Sequence, residues 1–361
     1  MRLFSRQRRR GFCKAGQNPQ KGMTVMTKRN MTQWMEDFLK SPVKKPMPIL
    51  SFPGIQLTGT TVRELVKDSD LMAACLTAVA NRFDAAISVS LMDLSVEAEA
   101  FGCNVHYSDH EVPTIHDPLI TSEEQADALM VPPVGAGRTG QCVEGIRKAA
   151  QQITDRPVFA GMIGPYSLAG RLIGMTDIMI SCYEEPEMVE TVLQKATDFL
   201  LQYAQELKRA GANGVVIAEP AAGLLSPALI DEFSTPYVQK LIEAVDDDSF
   251  LVIYHNCGNV IPLLSNLADV HARAYSLGNA IPLKDALQVL PSSCMVIGNL
   301  DPAGVLKSAD PQTVRQETLR LMQDCACFPN FVPSSGCDIP PDSPLENIDA
   351  FFNTVREFYQ G

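Results

Sequence analysis

The stretch Leu251-Val252-Ile253-Tyr254-His255-Asn256-Cys257-Gly258-Asn259 begins as an apolar run rich in β-branched residues and ends in a glycine-containing loop. That is the pattern of a buried strand opening into a turn. Side chains two apart in an extended segment point the same way, so His255 and Cys257 converge at the strand's end. A distant partner is Ser335-Gly336-Cys337-Asp338, which follows the apolar segment Phe328 to Val332. In a closed barrel of parallel strands the strand ends meet at one mouth, and Cys337 then joins the other two. One imidazole, two thiolates and an open fourth position are the donor set of a catalytic rather than a structural zinc. Free cysteine is also a common small core residue, so packing is the alternative for the same side chains.

Outward from this stretch the same rhythm recurs. Strand candidates are Met47–Phe52, Asp84–Ser90, Pro157–Met162, Gly214–Ala218, Ala272–Ser276, Cys294–Ile297 and Phe328–Val332, eight with the opening one. Between them lie helical runs: Thr60–Arg82, entered by Thr60 or Thr61 with Glu64 in capping-box position; Arg138–Ile153; Glu184–Ala210, closed by Gly211; and Pro227–Val245. Eight strand-then-helix units predict an α/β chain folded as a single (β/α)8 TIM barrel, with polar or glycine-rich strand ends gathered on one side. Thr32–Lys40 predicts a helical extension at the N-terminus, ended by Pro42 and Pro46. The segment from Cys103 to Leu119, an irregular or short-stranded insertion, holds His106, His110, Glu111 and His116; their irregular spacing favours a solvated loop over the mouth, with a second metal site as the lesser alternative.

Composition narrows the function classes. The 361 residues are 46% hydrophobic and carry a net charge of −12. Arg2, Arg6, Arg8, Arg9, Arg10, Lys14 and Lys21 lie in a stretch without acids, so the remainder is seven units more negative still. Residues 1–30 are expected to be a basic tail or an extended start, with 31–361 as the barrel domain. An acidic body argues against a nucleic-acid partner. No apolar run is long enough to span a bilayer. Ten scattered cysteines point to reduced thiols and a cytoplasmic setting.

Five stretches, taken in order, resemble the uroporphyrinogen decarboxylase superfamily. They are Asp84 to Gly102, Gly164-Pro165-Tyr166-Ser167-Leu168-Ala169-Gly170, Ile217 to Gly223, Gly298-Asn299-Leu300-Asp301-Pro302, and Ser335 to Pro341. Within the superfamily the chain resembles the corrinoid-dependent methylcobamide:coenzyme M methyltransferases. The decarboxylases carry an Arg-Gln-Ala-Gly-Arg motif after the first strand, where this chain reads Ser51-Phe52-Pro53-Gly54-Ile55-Gln56. They also end in Gly-His-Gly where this chain has Ser335-Gly336-Cys337, and they lack a counterpart of His255-x-Cys257.

The resemblance implies a methyltransferase that moves a methyl group from a methylated corrinoid, carried by a corrinoid protein, to a small thiol such as coenzyme M. It implies Zn2+ on His255, Cys257 and Cys337, where a substrate sulfur is ionised. Glu219 is the candidate fourth, displaceable ligand or base, with a structural acid as its alternative. Asp93 falls near the decarboxylases' catalytic carboxylate, with capping as its alternative. Arg138 and Arg171 are candidates for an anionic tail on the thiol, or else helix-end charges. Tyr166 and Asn279 complete the candidate substrate contacts. Cys325-x-Cys327 reads as packing. A tetrapyrrole decarboxylase and a non-catalytic corrinoid- or thiol-binding barrel are the other two functions considered.

Overall fold

The computed structural model describes residues 29–360; the basic stretch of residues 1–22 lies outside them. Seven parallel strands form one sheet: β1 (Ser88–Val89), β4 (Val158–Ile163), β5 (Gly214–Ala218), β6 (Leu251–Asn256), β7 (Ala274–Leu277), β8 (Met295–Leu300) and β9 (Phe331–Ser335), hydrogen-bonded in that order. A separate antiparallel pair, β2 (Val105–His106) and β3 (Thr114–Ile115), makes a small hairpin within the insertion. Its rings His106 and His116 meet edge to face at 4.6 Å. The insertion is thus tied down, with Val62 N–H donating to Asp109 O and Leu119 N–H to Leu172 O.

The predicted first strand is an extended segment instead. It bonds to both edges of the sheet, through Met47 N–H to Pro333 O and Ala86 N–H to Pro46 O, each 2.9 Å. Pro46, Pro48 and Pro333 have no N–H to give, so a regular ladder cannot form. The Ser334 and Ser335 hydroxyls stand in, donating to Met47 O and accepting from Ile49 N–H. Here the (β/α)8 barrel is joined by side chains as much as by backbone.

Register fixes the barrel's layers. Val216, Ile253, Ala274 and Met295 are paired across β5 to β8 and share an interior cluster with Phe159, Leu251 and Ile297. One row higher come Ile163, Ala218, His255, Ser276, Ile297 and Val332. The helix Met31–Lys40 closes the opposite end: Met31 and Met35 are buried in the interior cluster, and Arg273 donates to Thr32. The outer strand faces, among them Val158, Val215, Val252 and Val296, pack under the surrounding helices.

Two predicted helices are broken. Thr61 and Glu64 do form a capping box, but the helix Val62–Leu65 stops and Asp68 starts another, Ser69–Arg82, by accepting from Asp70 and Leu71 N–H. An Asp side chain that satisfies backbone donors locally competes with helix continuation. Pro227–Phe233 and Thr235–Val245 are likewise separate, because Pro236 cannot donate and crowds the preceding turn. The long helix begins at Pro186, after a distinct helix Met175–Glu184, and ends at Ala210 with Gly211 in the left-handed region, φ 108°.

Candidate metal centre

His255 is inward-facing near the end of β6, and its row partner across β7 is Ser276. The Ser276 Oγ lies 3.0 Å from His255 Nδ1. That leaves Nε2 buried without a hydrogen-bond partner among the described residues. A ring whose Nδ1–H donates to a hydroxyl presents an unprotonated Nε2, the form that ligates metals.

Asn256 points the other way and holds the turn. Its Nδ2 donates to Glu219 O at 2.8 Å in a buried setting, and its Oδ1 accepts from the part-buried Gly258 N–H at 2.9 Å. Cys257 is thereby returned to the mouth. The loop after β7 is pressed beneath it: a Cβ on Gly278 would stand 2.5 Å from Cys257 Cα. A Cβ on Gly336 would lie 2.7 Å from the backbone nitrogen of Asn279. Only glycine permits these approaches, and they draw the loops after β6, β7 and β9 together. β9 runs to Ser335, three residues past its predicted end, with Gly336 N–H still bonded to Leu300 O.

The result is a cluster in which ligand atoms of His255, Cys257 and Cys337 all lie within 4.8 Å of one another. The two thiols are coupled. Hydrogen bonding from Cys337 lowers the pKa of Cys257, aided by His255 and opposed by burial, while the same contact and burial raise that of Cys337. The first proton lost therefore belongs to the pair, and the second leaves far less readily. An imidazole nitrogen with no hydrogen-bond partner among the described residues and two cysteine sulfurs are a soft donor set that suits zinc.

The remaining candidates are placed elsewhere. Glu219 is buried behind β5, where it accepts from Ser167 N–H at 3.1 Å and the Ser234 hydroxyl at 3.2 Å. It serves the N-terminal turn of the helix Pro165–Ile173, and burial pushes it up to about 8. It is outside the three-residue cluster. Asp93 accepts from Ser95 N–H and is paired with Arg138, which also pairs with Glu99 and stacks over Tyr107. Arg138 is a buried tie between the helix Thr139–Gln152 and the loop after β1, so its charge is already met. Tyr166 is fully buried, its hydroxyl against Cys182 Sγ at 3.7 Å, and is closed off from the mouth. Asn279 is exposed beside Gly336. Arg171 borders a cavity at the mouth. Cys325 is buried at a helix end and Cys327 is exposed.

Sequence reasoning missed Ser276 and Asn256. Ser276 becomes visible only through strand register, and Asn256 only as the outward residue between two inward ones. Glu97, buried with Oε1 accepting from Ile163 N–H and Oε2 without a partner, was also missed.

Residues 46–358 match the model of the uroporphyrinogen decarboxylase (URO-D) family. The chain belongs to this family. Among URO-D relatives, it is similar to the methylcobamide:CoM methyltransferase MtbA of Methanosarcina acetivorans, 25% identical, covering 74% of this chain and 78% of that protein. It is also similar to the uroporphyrinogen decarboxylase of Dichelobacter nodosus, 23% identical over 76% and 80% of the two chains. Of solved structures, a methyltransferase from Methanosarcina mazei superimposes with a TM-score of 0.81 at 24% identity, covering 92% and 99%. That likeness establishes the barrel fold for this URO-D family member. Among the described residues no helix is long and apolar enough to cross a membrane.

Proposed function

We propose that this URO-D family protein transfers a methyl group from a methylated corrinoid, presented by a corrinoid protein, to a small thiol, using Zn2+ held by His255, Cys257 and Cys337. The observation that carries it is the buried, partnerless His255 Nε2 facing two thiols at the barrel mouth. The methylcobamide:CoM methyltransferases among its relatives support the same reading. The decarboxylase alternative is weakened by Ser51–Gln56, which holds no arginine, and by Asp93, whose carboxylate is engaged by Arg138.

Zinc bound by one imidazole and two thiolates supplies a Lewis acid of low net charge, beside which an incoming thiol is ionised at neutral pH. This chain's own residues prepare that chemistry. Ser276 orients the imidazole, Asn256 fixes the turn that returns Cys257, and Gly278 lets the neighbouring loop approach. Both cysteines must be deprotonated to act as ligands. Ala218, Ile297 and Val332, in the same row as His255, keep the floor of the site apolar and dry. In the overall reaction the corrinoid's methyl group moves to sulfur, with the cobalt–carbon electron pair staying on the corrinoid and the thiol proton leaving to solvent.

The reading is tested by metal analysis of Cys257→Ser and Cys337→Ser. One zinc per chain is expected in the parent and a loss of most of it in each variant, with the barrel's circular dichroism retained. Full zinc in both folded variants refutes the ligand set.

A further inference from the structure

Glu97 stands outside the metal cluster, as the second residue of the short helix Val96–Phe101, and is only 2% exposed. Its Oε1 accepts from the N–H of Ile163, the last residue of β4, at 3.1 Å. Its Oε2 is buried with no partner among the described residues. The side chain lines a cavity of about 10 Å3 between the loop after β1, the helix Thr139–Gln152 and the helix Pro186–Ala210. The other polar groups on its walls are Ser90, Asp93, Arg138, Cys142 and Tyr203. A space of that size admits one water, and a buried water needs two to four polar partners.

No cation is left over for Glu97. Each of the three guanidinium nitrogens of Arg138 is bonded elsewhere, Nε to Glu99, Nη1 to Asp93 and Nη2 to the Ser95 hydroxyl. Burial pushes Glu97 up to about 8, the Ile163 N–H opposes it, and Asp93 and Arg138 act in opposite directions. Cys142 and Tyr203 are raised by burial to about 12 and beyond, so both are neutral wherever Glu97 titrates. With Oε1 occupied as an acceptor, Oε2 is the oxygen that carries the proton. Ser90 also has a hydrogen to give, because its Oγ accepts from Gly161 N–H at 2.9 Å.

We propose that this cavity is a hydrated proton site, in which one enclosed water holds Glu97 as the neutral acid and the proton latches the loop after β1 against Arg138. The water accepts from Glu97 and Ser90 and donates to Asp93. Loss of the proton puts a second buried carboxylate beside Asp93, with Arg138 already committed, and a charge so placed must be hydrated. The wall that yields is the loop Ser90 to Ser95, which is tied to Arg138 only through the Asp93 and Ser95 side chains. That loop carries Leu94, which borders the cavity at the barrel mouth, so the protonation of Glu97 reaches the mouth through the backbone. The latch is closed at neutral pH and released as pH rises through about 8.

The test uses the full chain and Glu97→Gln, whose amide accepts from Ile163 N–H, donates to the water and does not titrate. A crystal structure of the parent near pH 7 should show one water within hydrogen-bond distance of Glu97 Oε2, kept in the variant. Infrared spectra should show a carboxylic-acid carbonyl band that Glu97→Gln lacks and that fades as pH rises towards about 9. Glu219 is a second buried acid, and the difference between parent and variant isolates Glu97. Amides of Leu91 to Ser95, corrected for intrinsic exchange, should exchange roughly tenfold faster near pH 9 than near pH 7 in the parent, following the ionised fraction of a group that titrates near 8. In Glu97→Gln the corrected exchange should not change. An empty or cation-filled cavity, a carboxylic-acid band shared by parent and variant, or the same pH dependence of exchange in both overturns the proposal. If the variant does not fold, the parent decides alone, since an empty cavity or pH-independent exchange of the loop contradicts it.

Discussion

His255 depends on Ser276 for its orientation, because among the described residues no other group is bonded to Nδ1. Removing such a support typically costs 10- to 100-fold in metal affinity. Ser276→Ala is therefore expected to weaken zinc binding by about tenfold or more, measured by competition with a chromogenic chelator, while Ser276→Thr retains most of it. Equal affinities for parent and Ser276→Ala would remove the hydroxyl from the account. Asn256 should behave differently, since it supports both fold and site. Asn256→Ala strands the buried Glu219 O and frees the part-buried Gly258 N–H, and is expected to cost about 1–3 kcal/mol in denaturant unfolding. The His-x-Cys spacing was legible in the sequence because period-two alternation is a local property of a strand. Ser276 was not, because its relation to His255 is a fact of register between strands. Tyr166 shows the limit from the other side: a motif residue near a site can face the core, and nothing in its neighbours says which.

At the level of elements, the loops around the site are held together by missing side chains. Gly278→Ala places a methyl 2.5 Å from backbone at Cys257, where no flexible group can yield. Loss of most bound zinc with near-parental secondary structure is expected, and a variant with full zinc would show the loop to be compliant. The helix Met31–Lys40 makes a separate contribution. Met31 is fully buried at the barrel floor, so Met31→Ala is expected to destabilise by about 2–3 kcal/mol without altering zinc content. Strand and helix existence could be read from apolar periodicity, and Gly214–Ala218 was bounded as predicted. The errors fell where one residue overrides periodicity. Asp68 and Pro236 each split a predicted helix, and Pro46, Pro48 and Pro333 reduced a predicted strand to an extended segment.

On the scale of the whole molecule, two buried carboxyl groups couple stability to pH. Glu97 and Glu219 are each pushed from 4.5 up to about 8, burial being the first cause in both. Between these values the folded chain keeps protons that the unfolded chain has lost, so their contribution to stability falls as pH rises from 4.5 to 8. Glu97→Gln is expected to flatten the decline of the melting temperature over that window, and an unchanged slope would show Glu97 to be ionised in the fold. The barrel itself assembles the proposed ligands: strand ends from β6 and β9, far apart in sequence, bring His255, Cys257 and Cys337 together. Whether that mouth performs thiol methylation is decided most directly by the cobalt absorbance of methylcob(III)alamin during reaction with zinc-loaded protein and a panel of thiols, the sulfonated ones included. The expected result is thiol-dependent loss of the methylated spectrum with cob(I)alamin appearing, abolished in Cys337→Ser. Unchanged spectra with every thiol, for both free and protein-bound corrinoid, would contradict the account.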